Sequence, residues 1–210
     1  MKKQTGAVIL AELLKAYGIT HIFMVPAVLR RTMVEIEKKT NIKRLHVHSE
    51  KSAAYMADGY ARASGKPAIC MAQVIGALNI AAGLRDAFLA HSPVIAITGG
   101  REPKTKFKKV YQEVDDMPAF EPVTKLNATI DDVSRIPDMI DQAFRVSTSG
   151  SPGPAHLQLR GNEAQIDLEE FEFESNFRIS DTQIPPHRPI CNDIILNKAL
   201  DTIQSAKRPI

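Results

Sequence analysis

Short apolar runs alternate with stretches of helical period along most of this 210-residue chain, and that alternation constrains the fold more than any other feature. Residues 21–25, 43–47, 68–72, 94–98, 123–128 and 155–159 read as strands, and residues 5–17, 28–39, 50–64, 78–90 and 131–147 as helices. Gly18, Gly65 with Pro67, and Ser92 with Pro93 punctuate the changes of element. Glycine ends a helix in the left-handed conformation and proline cannot continue one. The strands carry little polar alternation, so both of their faces must be covered. Strands buried on two faces and separated by helices form a parallel sheet between helical layers. The predicted fold class is therefore α/β, a three-layer α-β-α arrangement around a central parallel sheet.

Composition excludes other classes. Hydrophobic residues make up 44% and charged residues 24%, the balance of a folded, water-soluble domain. The formal charge of +3 is spread along the chain and gives no electrostatic reason to expect nucleic acid. Lys104, Lys106, Lys108 and Lys109 form the one basic run, which reads as a solvated loop. Cys70 and Cys191 lie too far apart in sequence for a metal-ligand motif, and Cys70 sits in an apolar run that predicts a core position. No apolar segment is long enough to span a bilayer, so the expectation is a cytoplasmic protein with no membrane partner.

The domain is expected to occupy residues 1–162. Residues 163–190 begin acidic and then carry Pro185, Pro186 and Pro189, which predicts an extended linker. In residues 191–210, Ile194, Ile195, Leu196, Ala199, Leu200 and Ile203 give an amphipathic helix with nothing after it to pack against. The expectation is a longer protein, with a second, central domain starting there.

Residues 48–62, His-Ser-Glu-Lys-Ser-Ala-Ala-Tyr-Met-Ala-Asp-Gly-Tyr-Ala-Arg, are the most informative segment. Ala53, Ala54, Ala57 and Ala61 give a helix a face of small side chains suited to close packing on a sheet. Glu50 falls at the strand-to-helix junction, the carboxyl edge of a parallel sheet where ligands bind. On position alone it reads as complementing the positive end of the helix dipole, as acidic residues in the first turn do. His48 reads as structural, in the preceding strand. A nucleotide-binding Gly-x-Gly-x-x-Gly turn after the first strand is absent, since Pro26-Ala27-Val28-Leu29-Arg30 stands there.

The segment from Glu50 to Arg62 closely resembles the N-terminal signature of the thiamine-diphosphate enzymes of the acetolactate synthase and 2-oxo-acid decarboxylase type. Other blocks agree in order: 23–27 with the family's Phe-Gly-x-Pro-Gly turn, 83–88 and 92–99 with its helix and following strand, 111–115 with Phe-Gln-Glu-x-Asp, and 153–157 with the closing strand. The resemblance implies the pyrimidine-binding domain of such an enzyme, which decarboxylates 2-oxo acids, forms carbon–carbon bonds, or both. It implies Glu50 as the catalytic carboxylate, hydrogen-bonded to N1′ of the cofactor's aminopyrimidine. It further implies Pro26, Ala27, Glu50, Gly76 and Asn79 on the cofactor side and Gln112 on the substrate side. Thiamine diphosphate is the implied cofactor. Magnesium is implied with it, held by a C-terminal domain outside this chain, so that no metal site is expected within these residues. The implied partner is a second copy, in a dimer or tetramer with the site across the subunit interface.

Departures from the pattern keep an alternative open. Gln73-Val74-Ile75-Gly76-Ala77-Leu78-Asn79 stands where the family commonly has Ser-Gly-Pro-Gly-x-x-Asn, and Met24 and Ala27 replace glycines. Positive φ is expected to be less accessible at such positions. A non-catalytic or regulatory paralogue that keeps the fold for subunit association is the competing reading.

Overall fold

The computed structural model describes residues 2–174 and 182–208. Its elements are β1 (Lys2–Thr5), α1 (Gly6–Ala16), β2 (His21–Met24), α2 (Arg30–Lys39), β3 (Lys43–His46), α3 (Glu50–Ser64), β4 (Ala68–Ala72) and α4 (Ala77–Leu89). They continue with β5 (Val94–Gly99), α5 (Met117–Phe120), β6 (Leu126–Ile130), α6 (Ile136–Thr148), β7 (Ala155–Leu159), β8 (Glu170–Phe173) and α7 (Asp193–Ser205). Six strands form one sheet in the order β3-β2-β4-β5-β7-β6, every neighbouring pair parallel. All their carboxyl ends therefore lie along one edge.

The period of two within each strand divides the core. Met24, Ile69, Met71, Ile95, Ile97 and Leu157 face one way and pack with Ile9, Leu10, Leu14, Ile36, Ile140 and Phe144 from α1, α2 and α6. Phe23, Cys70 and Ala96 face the other way and meet Ala53, Ala54, Ala57, Ala61, Ile80 and Leu84 from α3 and α4. This is the predicted three-layer sandwich. Full burial of each large aliphatic side chain is worth about 1.5–3 kcal/mol, and the first face carries most of them. On the second face small strand residues meet small helix residues, which draws α3 and α4 close to the sheet. Cys70 is fully buried there, and burial pushes its thiol up to about 12.

Several boundaries differ from the sequence reading, and the helix expected from residue 131 begins at Ile136, after a 3-10 turn (Val133–Arg135) capped by Asp132. The strand expected at 123–128 begins at Leu126, because buried Val123 belongs to a preceding 3-10 turn (Glu121–Val123). His48 lies beyond β3 rather than within it.

The largest difference follows β7. Residues 163–173, expected as the start of the linker, fold back onto the domain as a 3-10 turn (Gln165–Leu168) and β8, which pairs antiparallel with β1. Ala164, Ile166 and Asp167 are buried. Leu29 at the start of α2 is left-handed and has no side-chain cap, and Asp167 Oδ2 supplies one by accepting from Thr32 N–H (3.1 Å) and Oγ–H (2.9 Å). The rest of the expected linker includes residues outside those described.

Candidate functional site

The carboxyl edge of the sheet brings together most of the residues singled out by sequence. Glu50 is the first residue of α3, immediately after the β3 connection. Its Oε2 accepts a hydrogen bond from Asn79 Nδ2 at 3.0 Å, across from the first turn of α4. Gly76 completes this cluster by having no side chain. A Cβ at that position would lie 2.5 Å from Glu50 Cγ and 2.6 Å from both Cδ and Oε1. The Glu50 side chain thus lies directly over the Gly76 backbone, held from the other side by Asn79. With Oε2 engaged, Oε1 remains to accept from, or share a proton with, a ligand nitrogen.

Pro26 and Ala27 stand at the carboxyl end of β2, between β3 and β4 in the sheet. Ala27 adopts φ +91, a positive φ at a position where its Cβ was expected to make one less accessible. The left-handed conformation costs an L-residue about 1–2 kcal/mol, so the surrounding contacts hold it in place. One such contact is the hydrogen bond from Leu29 N–H to Glu163 O at 2.8 Å. Val74 and Ile75 do not disrupt the neighbouring turn. Val74 is buried and donates its N–H to Asn162 O at 2.9 Å, and Ile75 projects outward.

Gln112 also has φ +61 and lies above the same edge. Its Oε1 accepts from Gln73 Nε2 (2.7 Å) and Asn162 Nδ2 (3.2 Å), and its Nε2 donates to the Tyr111 hydroxyl (3.1 Å). Gln112, Arg101, Arg160 and Asn162 line a cavity of about 420 Å³. Both arginines are already paired, Arg101 with Asp115 at 3.0 Å and Arg160 with Glu102 and Glu169. Next to this loop Asp116 is buried with Oδ2 unpartnered among the described residues. Burial, with Asp115 adding to it against Arg101, raises its carboxyl to about 6.

The turn at 161–165 was invisible to the sequence reading and turns out to tie the edge together. Gly161 O accepts from Gly100 N–H, Asn162 O from Val74 N–H, and Glu163 O from Leu29 N–H. One turn thus anchors the segments that follow β5, β4 and β2. The signal that could have revealed it is Gly161, whose φ of +92 and contact with Gln165 Oε1 leave no room for a side chain.

His156, in the middle of β7, is fully buried. It is stacked on Phe120 and bonded to Thr98 Oγ1 and Asn127 Oδ1, each at 2.8 Å. Burial lowers it to about 3, so it is a neutral member of the core. Lys104, Lys106, Lys108 and Lys109 are exposed. Among the described residues no group of three His, Cys, Asp or Glu side chains could hold a metal ion, and no helix is long and apolar enough to cross a membrane.

Residues 4–119 match the family profile described as thiamine pyrophosphate enzyme, N-terminal TPP binding domain. The probable acetolactate synthase large subunit of Methanocaldococcus jannaschii is 30% identical over 98% of this chain and 35% of that protein. The acetolactate synthase of Arthrospira platensis is 33% identical over 100% of this chain and 37% of that protein. That of Bacillus subtilis (strain 168) is 29% identical over 99% of this chain and 35% of that protein. The chain spans just over a third of the length of these relatives.

Proposed function

The chain belongs to the thiamine pyrophosphate enzyme family, and from that premise we propose that it serves as the pyrimidine-binding domain of an acetolactate synthase-like enzyme acting on 2-oxo acids. The reaction would be decarboxylation, carbon–carbon bond formation, or both. The observation that carries this reading is the Glu50 carboxylate, seated over Gly76 and held by Asn79 on the carboxyl edge of the sheet. Thiamine diphosphate, when bound, supplies the carbon nucleophile and the electron sink for loss of carbon dioxide.

This chain's residues do the rest of what falls to the domain. Glu50 bonds N1′ of the aminopyrimidine and holds or accepts a proton there. Asn79 fixes one oxygen of that carboxylate so that the other meets the ring. Ala27 lies at the neighbouring strand end on the cofactor side, and Gln112 lies on the substrate side. Magnesium would be held with the diphosphate by a part of the protein outside these residues.

A homo-oligomer is part of the same proposal. Tyr55, Met56 and Leu78, in the N-terminal halves of α3 and α4 that carry the Glu50 cluster, are exposed, an apolar surface suited to a second copy. Two free cysteines, one of them buried, agree with a reducing, cytoplasmic setting. The competing non-catalytic reading drew on Met24, Ala27, Val74 and Ile75. The positive φ kept at Ala27 and the inward packing of Val74 favour a working site instead.

The test is carbon dioxide release from a panel of 2-oxo acids by the full-length protein with thiamine diphosphate and magnesium, beside Glu50→Gln. Release that falls by orders of magnitude in the variant supports the enzyme. A full-length protein that neither binds the cofactor nor releases carbon dioxide is the non-catalytic paralogue.

A further inference from the structure

The hydrogen bonds around Gln112 have a polarity that can be traced to a group whose role is fixed. A carboxamide can in principle be turned either way, with its oxygen and nitrogen exchanged. A backbone N–H can only donate. The N–H of Glu163 lies 3.0 Å from the Gln165 side chain, so the Gln165 oxygen must face it. The Gln165 nitrogen then donates to Asn162 Oδ1 at 2.7 Å. That leaves the Asn162 nitrogen to donate to Gln112 Oε1 at 3.2 Å, where Gln73 Nε2 donates as well at 2.7 Å. Gln112 Oε1 is thereby held by two donors, and its Nε2 is turned the other way. One Nε2 hydrogen goes to the Tyr111 hydroxyl at 3.1 Å, and the second is available to a ligand.

The anchor of this relay is well built. Gly161 at φ +92 leaves no room for a side chain over Gln165, since a Cβ there would lie 2.3 Å from Gln165 Oε1. The Gly161 and Asn162 carbonyls bind the segments after β5 and β4, which include Gly100 and Val74. Gln112 lines the 420 Å³ cavity together with Arg101 and Arg160, whose charges are committed to Asp115 and to Glu102 and Glu169. The second Gln112 Nε2 hydrogen is a donor that this network leaves for an incoming group.

We infer that Asn162 and Gln165 are positioning residues that fix which end of the Gln112 carboxamide meets the substrate, so that Gln112 binds a hydrogen-bond acceptor, a carboxylate or carbonyl oxygen. This rests on the reading of the site as one for 2-oxo acids, whose carboxylate and carbonyl are both acceptors. Replacing Asn162 by Asp keeps its shape and removes its donor. The new carboxylate requires a donor from Gln112, which turns round and offers its oxygen to the substrate. Gln73 has no anchor of its own in this network and follows. Gln165→Glu acts one step earlier, turning Asn162 and through it Gln112. Gln165→Leu removes the anchor without adding charge and leaves Gln112 free to take either orientation.

The experiment measures KM and kcat for pyruvate with the full-length protein, thiamine diphosphate and magnesium, at low salt and at about 0.5 M salt, where exposed charges are screened. Asn162→Asp and Gln165→Glu are expected each to raise KM about tenfold or more at both salts, with kcat changed far less. Gln165→Leu is expected to raise it about twofold, as one of two orientations is lost half the time. A KM within twofold of wild type for Asn162→Asp, or a rise that salt abolishes, overturns the inference. If the wild-type protein turns over no 2-oxo acid, the functional reading fails separately. The relay is then decided by neutron diffraction from crystals of the full-length protein: deuterium on the Gln112 end facing Tyr111 upholds it, and deuterium on the end facing Asn162 overturns it.

Discussion

Gly76→Ala is the smallest change that should dismantle the Glu50 cluster. The added methyl would sit 2.5 Å from Glu50 Cγ and 2.6 Å from Oε1, inside any real contact distance, and Gly76 is buried between the end of β4 and the start of α4. The backbone there is not in the left-handed region, with φ −92, so alanine is tolerated by the turn itself and the whole effect falls on Glu50. The carboxylate must leave its place, giving up the 3.0 Å bond from Asn79, a hydrogen bond to a charged group worth about 1.5–3 kcal/mol. A strained rotamer would add about 0.5–1.5 kcal/mol. Together these come to about 2–4.5 kcal/mol, a loss in kcat/KM of about thirtyfold to about two-thousandfold at 1.36 kcal/mol per decade. The assay is carbon dioxide release by the full-length variant, with thermal unfolding alongside to establish that the protein remains folded. Wild-type kcat/KM in a folded Gly76→Ala protein would refute the reasoning, because it would mean that Glu50 does not need its place over Gly76.

Three further outcomes follow from individual residues. Asp116 has a carboxyl raised to about 6 against an ordinary 3.8, so the folded state holds its proton more tightly than the unfolded state. Stability from this group is present below about pH 4 and is lost as pH rises to about 6, by about 3 kcal/mol in all. Asp116→Asn should flatten that fall in a urea-unfolding series across the window, and parallel curves would contradict it. Ala27→Gly relieves a φ of +91 and should stabilise the chain by about 0.5–1 kcal/mol after the entropy of glycine is set against the relief, read as a higher urea midpoint. A lower midpoint would mean the alanine methyl is packed, not strained. Asp167→Ala removes the acceptor that caps α2 through Thr32 and should cost about 1.5–3 kcal/mol, with hydrogen exchange at Thr32 N–H speeding up. Unchanged exchange there would show that the cap does not hold α2.

Much of this architecture was legible because the local signals agreed. The strands at 68–72 and 94–99 are apolar on both faces and bounded by glycine and proline, and the alanine stripe of 53–61 announced a helix lying close on small strand residues. Glu50, Gly76 and Asn79 were each named from the sequence, and the structure brings them into one cluster. What escaped was non-local. Residues 163–173 looked like an acidic linker because Glu163, Asp167, Glu169, Glu170 and Glu172 make five of the eleven acidic. Phe171 and Phe173 alternate with Glu170 and Glu172 at the period of a strand, and the pairing partner, residues 2–5, lies at the far end of the chain. For the same reason the partners of Gln112 could not be foreseen. Gln73 follows β4, while Asn162 and Gln165 follow β7, and only the closed sheet brings them to one loop.

The central claim is that Glu50 on this domain recognises the aminopyrimidine of thiamine diphosphate. Calorimetric titration of thiamine diphosphate with magnesium into the full-length protein, wild type beside Glu50→Gln, tests it most directly. The account predicts saturable binding to the wild type and a clear weakening in the folded variant, which keeps the shape of Glu50 but not its charge. Equal affinity in both, or no binding heat from the wild type at all, would contradict it.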